Sequence, residues 1–347
     1  MNYRNPFYQV PKLQYSQNDF SLLLNLIPKH TEKILLIQDS KVNFDFPENK
    51  YKIFSFKVDV SVSEPTTSLV NEFTNNFKGH GYDCIIGIGG GSVLDIAKSL
   101  SITLSDKKSL PVENYQGWDL VKHSPIYKIG VPCLYGSGSE ASRTAVLSSS
   151  VKKQGINSQY SMFDAVFLTP NLDISCDKKQ KFYSGMDCFI HCVESSEGNF
   201  INPLSMDFAQ RALQMCKNWF LNGENEEYMV LASYFGGVSI VNSEVGICHA
   251  LSYGLSQEFN IRHGLANCLI FNHLESFYGD HVRVFKEMLQ KNEITLPKNI
   301  CKSISETQLK RMVESTYLME RPLLNALGDD YRKILNKKKI YEIYKSI

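Results

Sequence analysis

The first half of the chain contains short apolar runs separated by polar or helix-like segments. Continuous apolar runs are typical of strands that are buried on both faces of a sheet. The pattern predicts five strands, which are Lys33 to Asp39, Tyr51 to Val58, Asp83 to Gly89, Lys128 to Cys133 and Asp164 to Leu168. A helix that ends near Phe77 is predicted between the second and third strands. This half of the chain is therefore expected to be α/β.

From about Cys176 onward the apolar residues recur with the period of a helix. The predicted helices are Phe182 to Asn199, Ser205 to Leu221, Tyr228 to Asn242, Val245 through Tyr253, Leu309 to Met319 and Asp330 to Lys345. A chain of 347 residues exceeds the usual size of a single core. We expect an α/β nucleotide-binding domain over residues 1–170 and an all-α metal-binding domain over residues 171–347, with the active site in the cleft between them.

A carboxylate and an imidazole share one face of the first predicted helix, for which Ser184 is the expected N-cap. Asp187 and His191 are four residues apart, and this spacing stacks two side chains on one side of a helix. His249 and His263 follow downstream, so the four residues offer one carboxylate oxygen and three imidazole nitrogens. This donor set suits a divalent ion such as Fe(II), Zn or Ni. The alternative is a set of ordinary core histidines and a capping acid.

A glycine-rich turn joins a predicted strand directly to a predicted helix. The segment Gly89-Gly90-Gly91-Ser92 is followed at once by helical periodicity. Glycines let backbone N–H groups approach a phosphate closely, and the positive end of the following helix strengthens the attraction. The pattern favours a dinucleotide site.

Five sequence blocks occur together in a characteristic order. They are Gly87-x-Gly89-Gly90-Gly91-Ser92-x-x-Asp95-x-Ala97-Lys98, Gly136-Ser137-Gly138-Ser139-Glu140, Gly185-Met186-Asp187-x-x-x-His191, His249-Ala250 and His263-Gly264-x-Ala266-Asn267. In this combination the chain resembles the iron-containing (group III) alcohol dehydrogenase family, roughly from Ile34 to Leu274. The resemblance implies a dehydroquinate synthase-like fold, with an N-terminal Rossmann-like nucleotide domain and a C-terminal helical metal-binding domain. It also implies NAD or NADP and one divalent metal, Fe or Zn, as cofactors.

The resemblance implies a role for each matching residue. The metal ligands, which also act in catalysis, would be Asp187, His191, His249 and His263. The cofactor-binding residues would be Asp39, Gly89, Gly90, Gly91, Ser92, Asp95 and Ser137. Asp39 would accept hydrogen bonds from a ribose diol and repel a 2′-phosphate, which favours NAD over NADP. Two alternatives stay open, namely Asp39 as a solvated loop acid and Asp95 as a helix-packing residue paired with Lys98.

Three positions depart from the family pattern. Cys133 and Leu134 stand where the family usually has threonines near the nicotinamide, while Ser137 keeps a hydroxyl. Tyr253 stands where many members have a histidine that helps to pass the proton. A phenol, with an ordinary pKa of about 10, can donate or relay a proton through water, although less readily near neutral pH. Tyr253 is therefore the candidate proton-transfer residue, with packing in the pocket as its alternative role.

Two residues are candidates for substrate binding. Trp118 lies in the polar, aromatic loop Asn114 to Asp119, which suits a hydroxylated substrate but also fits a surface loop. Arg143, in strand-like and exposed-looking surroundings, suits a bidentate contact with a carboxylate, and a surface salt bridge is its alternative. The segments Asn114 to Val121 and Phe182 to Ser195 resemble the 3-deoxy-D-manno-octulosonate 8-oxidase branch, which makes an 8-aldehyde for a partner aminotransferase. That branch implies an acidic sugar substrate, with NAD or oxygen as electron acceptor.

Composition narrows the choice of partner. Lys plus Arg (37) nearly balance Asp plus Glu (36), and the net charge of +1 gives no electrostatic case for a nucleic acid or an anionic membrane. The nine cysteines lack a CxxC pair, which favours reduced thiols in the cytoplasm over a disulfide framework. The first residues lack the regions of a signal peptide. We expect a cytoplasmic homodimer that acts on a small alcohol or an acidic sugar.

Three other functions remain open from the sequence. One is a general small-alcohol or polyol dehydrogenase. Another is a lyase like dehydroquinate synthase, which shares the two-domain plan and uses NAD transiently, but whose first metal ligand would be Glu where this chain has Asp187. The third is a non-catalytic nucleotide-binding relic, which Cys133, Leu134 and Tyr253 would explain, although all four predicted metal ligands are present. Metal content and net NADH formation separate these functions.

Overall fold

The computed structural model describes residues 6–60, 65–149, 153–172 and 174–347. The chain forms two compact units, an α/β unit over Tyr8–Cys176 and a helical unit over Asp177–Ile347, to which Pro6 and Phe7 also belong. All nine cysteines lie within the described ranges and are free thiols. Within the same ranges, no helix combines the length and the apolar character that crossing a membrane requires.

The described part of the α/β unit contains nine strands and two α-helices. The strands are β1 (Lys12–Tyr15), β2 (Lys33–Asp39), β3 (Lys52–Val58), β4 (Cys84–Gly89), β5 (Gly117–Trp118), β6 (Tyr127–Pro132), β7 (Thr144–Ser148), β8 (Lys153–Asn157) and β9 (Ala165–Leu168). The helices are α1 (Thr67–Phe77) and α2 (Gly91–Thr103). Six strands form a wholly parallel sheet in the order β1-β9-β6-β4-β2-β3. A second sheet has the order β5-β8-β7.

The strands at the centre of the large sheet have the most continuous apolar runs. Every residue of β4 is buried, and so is every residue of β2 after Lys33. Burial on both faces requires such runs, and the structure confirms all five strands that the sequence predicts. The sequence does not reveal β1, β5, β7 and β8. These strands are short or largely half-exposed and therefore lack a continuous apolar run.

The strand order of the large sheet reverses between β2 and β4. The chain leaves β2 for β3 on one side and leaves β4 toward β6 on the other. Ligands of doubly wound domains bind at such a switch point, outside the carboxyl ends of the strands. Asp39 ends β2 and Gly89 ends β4, so both predicted cofactor residues lie at this position.

The second unit is built from helices. They are α3 (Lys178–Ser196), α4 (Pro203–Lys217), α5 (Glu226–Val241), α6 (Ile247–Phe259), α7 (His263–Phe271), α8 (Glu275–Tyr278), α9 (Asp280–Lys291), α10 (Glu306–Leu318), α11 (Glu320–Leu327), α12 (Tyr331–Ile334) and α13 (Lys337–Lys345). A π-helical turn at Asn218–Asn222 follows α4 directly. Buried apolar faces of α3, α4, α5, α6 and α7 form the centre of this unit.

Two features of the predicted helices are wrong, apart from small shifts of their ends. The N-cap of α3 is Asp177, whose Oδ1 accepts a hydrogen bond from the backbone N–H of Gln180 at 2.7 Å. Ser184 lies inside the helix, so its prediction as the N-cap is wrong, because the polar first turn of α3 shows no apolar period. The predicted helix from Asp330 to Lys345 is also wrong, since α12 ends before Leu335 and Asn336 caps α13.

Candidate functional site

Three helices carry the four predicted metal ligands. Asp187 and His191 lie on α3, His249 lies on α6, and His263 is the first residue of α7. Their donor atoms all lie within 4.8 Å of one another. Among the residues that the structure describes, this is the one group of three or more His, Cys, Asp or Glu side chains that converges in this way.

The Oδ1 atom of Asp187 lies close to all three imidazoles of the cluster. It is 3.6 Å from Nε2 of His191, 3.3 Å from Nε2 of His249 and 3.7 Å from Nε2 of His263. Ligands placed about 2.0–2.2 Å from a tetrahedral ion lie roughly 3.3–3.6 Å apart. The measured separations match this spacing, so the four donors fit one divalent ion. The side chain of His263 is 24% exposed, which leaves one side of the cluster open.

Charge stabilises the carboxylate of this cluster. Burial raises the pKa of Asp187, but the imidazoles of His191, His263 and His249 outweigh burial and hold that pKa well below its usual range. Burial also lowers the pKa of His191. It acts in the same direction on His249, but there the carboxylates of Glu194 and Asp187 outweigh it and raise the pKa to about 9. Asp187 is therefore ionised at physiological pH, as a metal ligand must be, whereas His249 has to release a proton when it binds a metal.

Asn267, which appears in the sequence only as the end of a motif, is buried among the ligands. Its Nδ2 atom donates to Asp187 Oδ1 at 2.6 Å and lies 3.1 Å from His249 Nε2 and 3.2 Å from His263 Nε2. A carboxylate oxygen only accepts hydrogen bonds, so the amide presents its NH2 group to the cluster. The second N–H of the amide can donate to only one of these two imidazoles, and it then favours the tautomer whose Nε2 lone pair faces the cluster, which is also the form that binds a metal.

Glu194 is a second residue of the site that the sequence analysis missed. It lies on the same face of α3 as Asp187 and His191, because positions 187, 191 and 194 follow the i, i+4, i+7 spacing of a helix. Its Oε2 atom accepts from Nδ1 of His249 at 2.5 Å. A metal-binding imidazole usually donates its second ring N–H to a carboxylate. A carboxylate one helical turn beyond the Asp/His pair was therefore the signal in the sequence that could have identified Glu194.

The glycine turn lies at the N-terminus of α2. Gly90 is the N-cap and makes no side-chain cap hydrogen bond. A Cβ atom on Gly91 would lie 2.7 Å from Ser137 Oγ, and one on Gly90 would lie 3.3 Å from Leu134. The predicted cofactor residue Ser137 therefore packs directly on the turn. Uncapped backbone N–H groups without a covering side chain fit an incoming pyrophosphate.

Asp39 is buried at the carboxyl end of β2, with 3% of its surface exposed. Its Oδ1 accepts from the backbone N–H of Lys41 at 2.9 Å. This burial excludes the alternative of a solvated loop acid. The position beside the end of β4 is where an acid contacts the ribose in doubly wound domains, and that contact by Asp39 stays a prediction.

Asp95 and Lys98 of α2 hold the segment that follows Ser137. The carboxylate of Asp95 accepts from Ser139 Oγ at 2.7 Å and from the backbone N–H of Val146 at 2.9 Å. The fully buried ammonium of Lys98 donates to three backbone carbonyls, which belong to Ser139, Ser142 and Thr144. These contacts support the packing role of Asp95, and its contact with the cofactor stays a prediction.

The two candidate substrate residues lie side by side in the α/β unit. The guanidinium carbon of Arg143 is 5.1 Å from the ring centroid of Trp118 and 4.9 Å from that of Tyr8. A guanidinium nitrogen lies 3.9 Å from Oδ1 of Asp119. The side chain of Arg143 is only 13% exposed, so the exposed setting expected from the sequence is wrong, because the two rings cover it. Aromatic contacts of this kind fix a guanidinium in place while its N–H edges stay available.

Tyr253 lies on α6 beside a predicted metal ligand. Its ring centroid is 5.5 Å from that of His263, with an angle of 36° between the rings. The side chain is half-buried. The structure therefore places the Tyr253 ring beside the cluster, and both of its predicted roles stay predictions.

Two sequence profiles of one family match the chain. The profile of iron-containing alcohol dehydrogenase matches residues 11–170, and the C-terminal profile of the same family matches residues 181–321. The chain belongs to the iron-containing alcohol dehydrogenase family. The family uses NAD(H) and a divalent metal ion. The donor cluster and the glycine turn are the parts of this member that fit those two cofactors.

Relatives of this member act on several alcohols and aldehydes. A sulfoacetaldehyde reductase from Bilophila wadsworthia is 32% identical over 212 residues, which cover 58% of this chain and 54% of that protein. A 4-hydroxybutyrate dehydrogenase from Clostridium kluyveri is 29% identical over 235 residues, which cover 64% of this chain and 62% of that protein. The chain thus spans little more than half the length of the relatives that it matches.

Solved structures share the fold over nearly the whole chain. An iron-containing alcohol dehydrogenase from Thermotoga maritima has a TM-score of 0.83 and 22% identity, and the match covers 98% of both chains. A sulfoacetaldehyde reductase from Bifidobacterium kashiwanohense, solved with NAD+, has a TM-score of 0.77 and 15% identity, covering 98% of this chain and 97% of that one. The prediction of a Rossmann-like domain followed by a helical metal-binding domain is confirmed.

Proposed function

We propose that this protein is a metal-dependent alcohol oxidoreductase that moves a hydride between its substrate and NAD. The observation that carries the proposal is the donor cluster, whose separations of 3.3–3.7 Å from Asp187 Oδ1 fit one divalent ion. Family membership supports the same type of reaction. A bound ion supplies Lewis acidity that lowers the pKa of a coordinated hydroxyl, and NAD supplies the hydride acceptor.

Residues of the helical unit bind the ion and receive the substrate. Asp187 contributes the negative charge, and the amide of Asn267 holds its carboxylate in one orientation. His263 is the most exposed of the four ligands, so it marks the side from which a hydroxyl enters. The ring of Tyr253 shapes the pocket at this side, and its hydroxyl passes the substrate proton to water.

Residues of the α/β unit bind the cofactor. Backbone N–H groups of Gly90, Gly91 and Ser92 hold the pyrophosphate at the start of α2. The carboxylate of Asp39 accepts hydrogen bonds from the ribose diol and repels a 2′-phosphate, so NAD is the preferred cofactor. The hydroxyl of Ser137 is packed against Gly91, so it would lie next to a pyrophosphate held by this turn.

The substrate in this proposal is an acidic sugar such as 3-deoxy-D-manno-octulosonate, whose terminal CH2OH is oxidised to an aldehyde. Arg143 supports an anionic substrate, since Trp118 and Tyr8 fix its guanidinium. The relatives named above also support it, because sulfoacetaldehyde and 4-hydroxybutyrate both carry an anionic group. An aldehyde product of this kind is the natural substrate of an aminotransferase.

The test is a turnover assay with purified protein of known metal content. NADH absorbance is followed with NAD and a panel of simple alcohols, polyols and 3-deoxy-D-manno-octulosonate, and oxygen uptake is followed in parallel. We expect NADH to form with the acidic sugar. NADH formation with small diols alone would refute the acidic substrate, and oxygen uptake without NADH would refute NAD as the acceptor. A lyase would form no net NADH, and a non-catalytic relic would need no metal.

A further inference from the structure

The carboxylate of Glu194 is fully buried behind His249 and accepts four hydrogen bonds. Its Oε2 atom accepts from His249 Nδ1 at 2.5 Å and from the backbone N–H of Gly246 at 2.8 Å. Its Oε1 atom accepts from the backbone N–H of Cys248 at 2.5 Å and from the hydroxyl of Tyr278 at 2.9 Å. Both oxygens are therefore occupied by donors.

Two of these donors belong to the start of α6, the helix that carries His249. Gly246 is the N-cap of α6, and as a glycine it has no side chain that could cap the helix. Cys248 lies in the first turn of α6. The first N–H groups of a helix have no acceptor within the helix, and a negative charge is favourable at this end. Glu194 supplies both the acceptor and the charge from α3. One side chain thus fixes the start of α6 relative to the helix that carries Asp187 and His191.

The same carboxylate selects the tautomer of His249. A carboxylate that already receives three other donors can only accept from the imidazole, so Nδ1 of His249 carries the proton. In a neutral imidazole the lone pair is then on Nε2, which lies 3.3 Å from Asp187 Oδ1 inside the cluster. By contrast, Nδ1 of His191 is buried and finds no hydrogen-bond partner among the described residues. A hydrogen bond from Nδ1 to a carboxylate thus fixes the ring of His249, whereas the ring of His191 has no such bond among the described residues.

We propose that Glu194 is a positioning residue that sets the orientation and tautomer of His249 and thereby the metal affinity of the cluster. The inference rests on the metal-dependent function proposed above. Glu194 is not one of the four converging donors, and both of its oxygens accept from other groups. It acts through His249 and through the start of α6.

Glutamine has the shape of Glu194 but does not satisfy these contacts. Each carboxylate oxygen faces a backbone N–H group, and a backbone N–H cannot become an acceptor. In either orientation, the NH2 group of a glutamine would face the N–H of Gly246 or of Cys248. In the first orientation it would also donate to Nδ1 of His249, which moves the imidazole proton to Nε2 and blocks the metal-binding lone pair.

The experiment measures zinc affinity of the full-length, metal-stripped protein by competition with a chromophoric chelator. We expect Glu194→Gln to weaken zinc binding about 10–100-fold, the usual effect of losing an outer partner of a ligand, while NAD affinity is unchanged. Glu258→Gln is the matched control, because Glu258 lies in the last turn of α6, the helix that carries His249, and its carboxylate pairs with Arg311. This control should bind zinc like the wild type. A wild-type zinc affinity for Glu194→Gln overturns the inference.

Asp187→Ala in the same assay separates this inference from the proposed function. If Asp187→Ala also keeps its zinc, the metal site itself is refuted. If Asp187→Ala loses zinc and Glu194→Gln does not, only the role of Glu194 is refuted. A readout that needs no variant is NMR of zinc-loaded wild-type protein labelled with 15N-histidine. We expect a low-field, strongly hydrogen-bonded Nδ1 proton on His249, and its absence overturns the inference even if Glu194→Gln fails to fold.

Discussion

The metal cluster and the glycine turn are built in opposite ways. The cluster is assembled from side chains on three helices, over positions 187 to 267, and it depends on charge and on buried hydrogen bonds. The turn is four consecutive residues, Gly89 to Ser92, and it depends on backbone N–H groups and on the absence of side chains. The cluster should therefore be sensitive to the chemistry of a substituted group, and the turn to its volume.

The largest effect is expected from removing a ligand of the cluster. Asp187→Ala or His263→Ala should abolish metal retention and lower turnover by roughly 10³-fold or more, because the bound ion supplies several kcal/mol of transition-state stabilisation. NAD affinity should be largely unchanged, since the cofactor residues belong to the other unit. Elemental analysis and NAD titration of each variant check this prediction.

His273 and His281 provide the controls for that comparison. Nδ1 of His273 lies 3.0 Å from Ser346 Oγ, and Nε2 of His281 lies 3.4 Å from a carboxylate oxygen of Glu197. Neither belongs to the converging group of donors. Their alanine variants should keep the metal. Unchanged metal content in both ligand variants would refute the ligand assignment.

The next largest effect tests the dependence of the turn on volume. Gly91→Ala adds a Cβ atom 2.7 Å from Ser137 Oγ and 3.1 Å from Ser137 Cβ, so the Ser137 hydroxyl must rotate and the two segments must shift slightly apart. Overpacking costs about 1–3 kcal/mol, which corresponds to roughly a 5- to 150-fold loss of NAD affinity. Metal content should be unchanged. Isothermal titration with NAD measures the loss.

A compensating substitution sharpens this test. Ser137→Gly removes the atoms that the new Cβ would meet, so the double variant Gly91→Ala, Ser137→Gly should bind NAD about as well as Ser137→Gly alone. Such compensation would show that the cost of Gly91→Ala is steric. If the double variant binds no better than Gly91→Ala, close packing on Ser137 is not the reason that glycine is needed.

The contrast between the two sites also explains what the sequence can predict. The turn is local, so consecutive glycines between a strand and a helix are enough to locate it. The donors of the cluster were found because Asp187 and His191 have helical spacing and because the later histidines complete a family pattern. Glu194 and Asn267 were not found as site residues. The helical spacing of Glu194 with Asp187 and His191 is visible in the sequence, but its contact with His249 is not. That contact, like the contact of Asn267 with Asp187, depends on long-range packing of α3 against α6 and α7.

The same limit applies to the fold. The continuously apolar strands of the large sheet were predicted, because burial on both faces leaves a strong pattern. The surroundings of Arg143 looked strand-like, but the bounds of β7 and β8 were not predicted, and the exposure expected for Arg143 was wrong. Its neighbours Tyr8 and Trp118 are distant from it in sequence, so their cover over the guanidinium could not be inferred.

A smaller effect, restricted to one class of substrate, is expected at Arg143. Arg143→Lys keeps the charge but loses the planar fork and the aromatic contacts, so it should lower kcat/KM for an acidic sugar. A charge-assisted hydrogen bond contributes about 1.5–3 kcal/mol, which predicts a loss of roughly 10- to 150-fold. Neutral alcohols are the internal control and should be affected little. An equal loss for both substrate classes would mean that Arg143 is structural.

The smallest effect is expected at Tyr253. Here the question is whether turnover depends on the aromatic ring or on the hydroxyl. Tyr253→Phe keeps the ring beside His263 and removes only the hydroxyl, and water can replace the hydroxyl as the proton acceptor. We expect turnover to stay within about 10-fold of the wild type, below the 10²–10⁴-fold contribution of a dedicated acid–base group. Tyr253→Ala should cost more, because His263 then loses its neighbouring ring. Turnover measured for both variants checks this prediction. A loss of more than about 10-fold in Tyr253→Phe would mean that the hydroxyl is the main route for the proton.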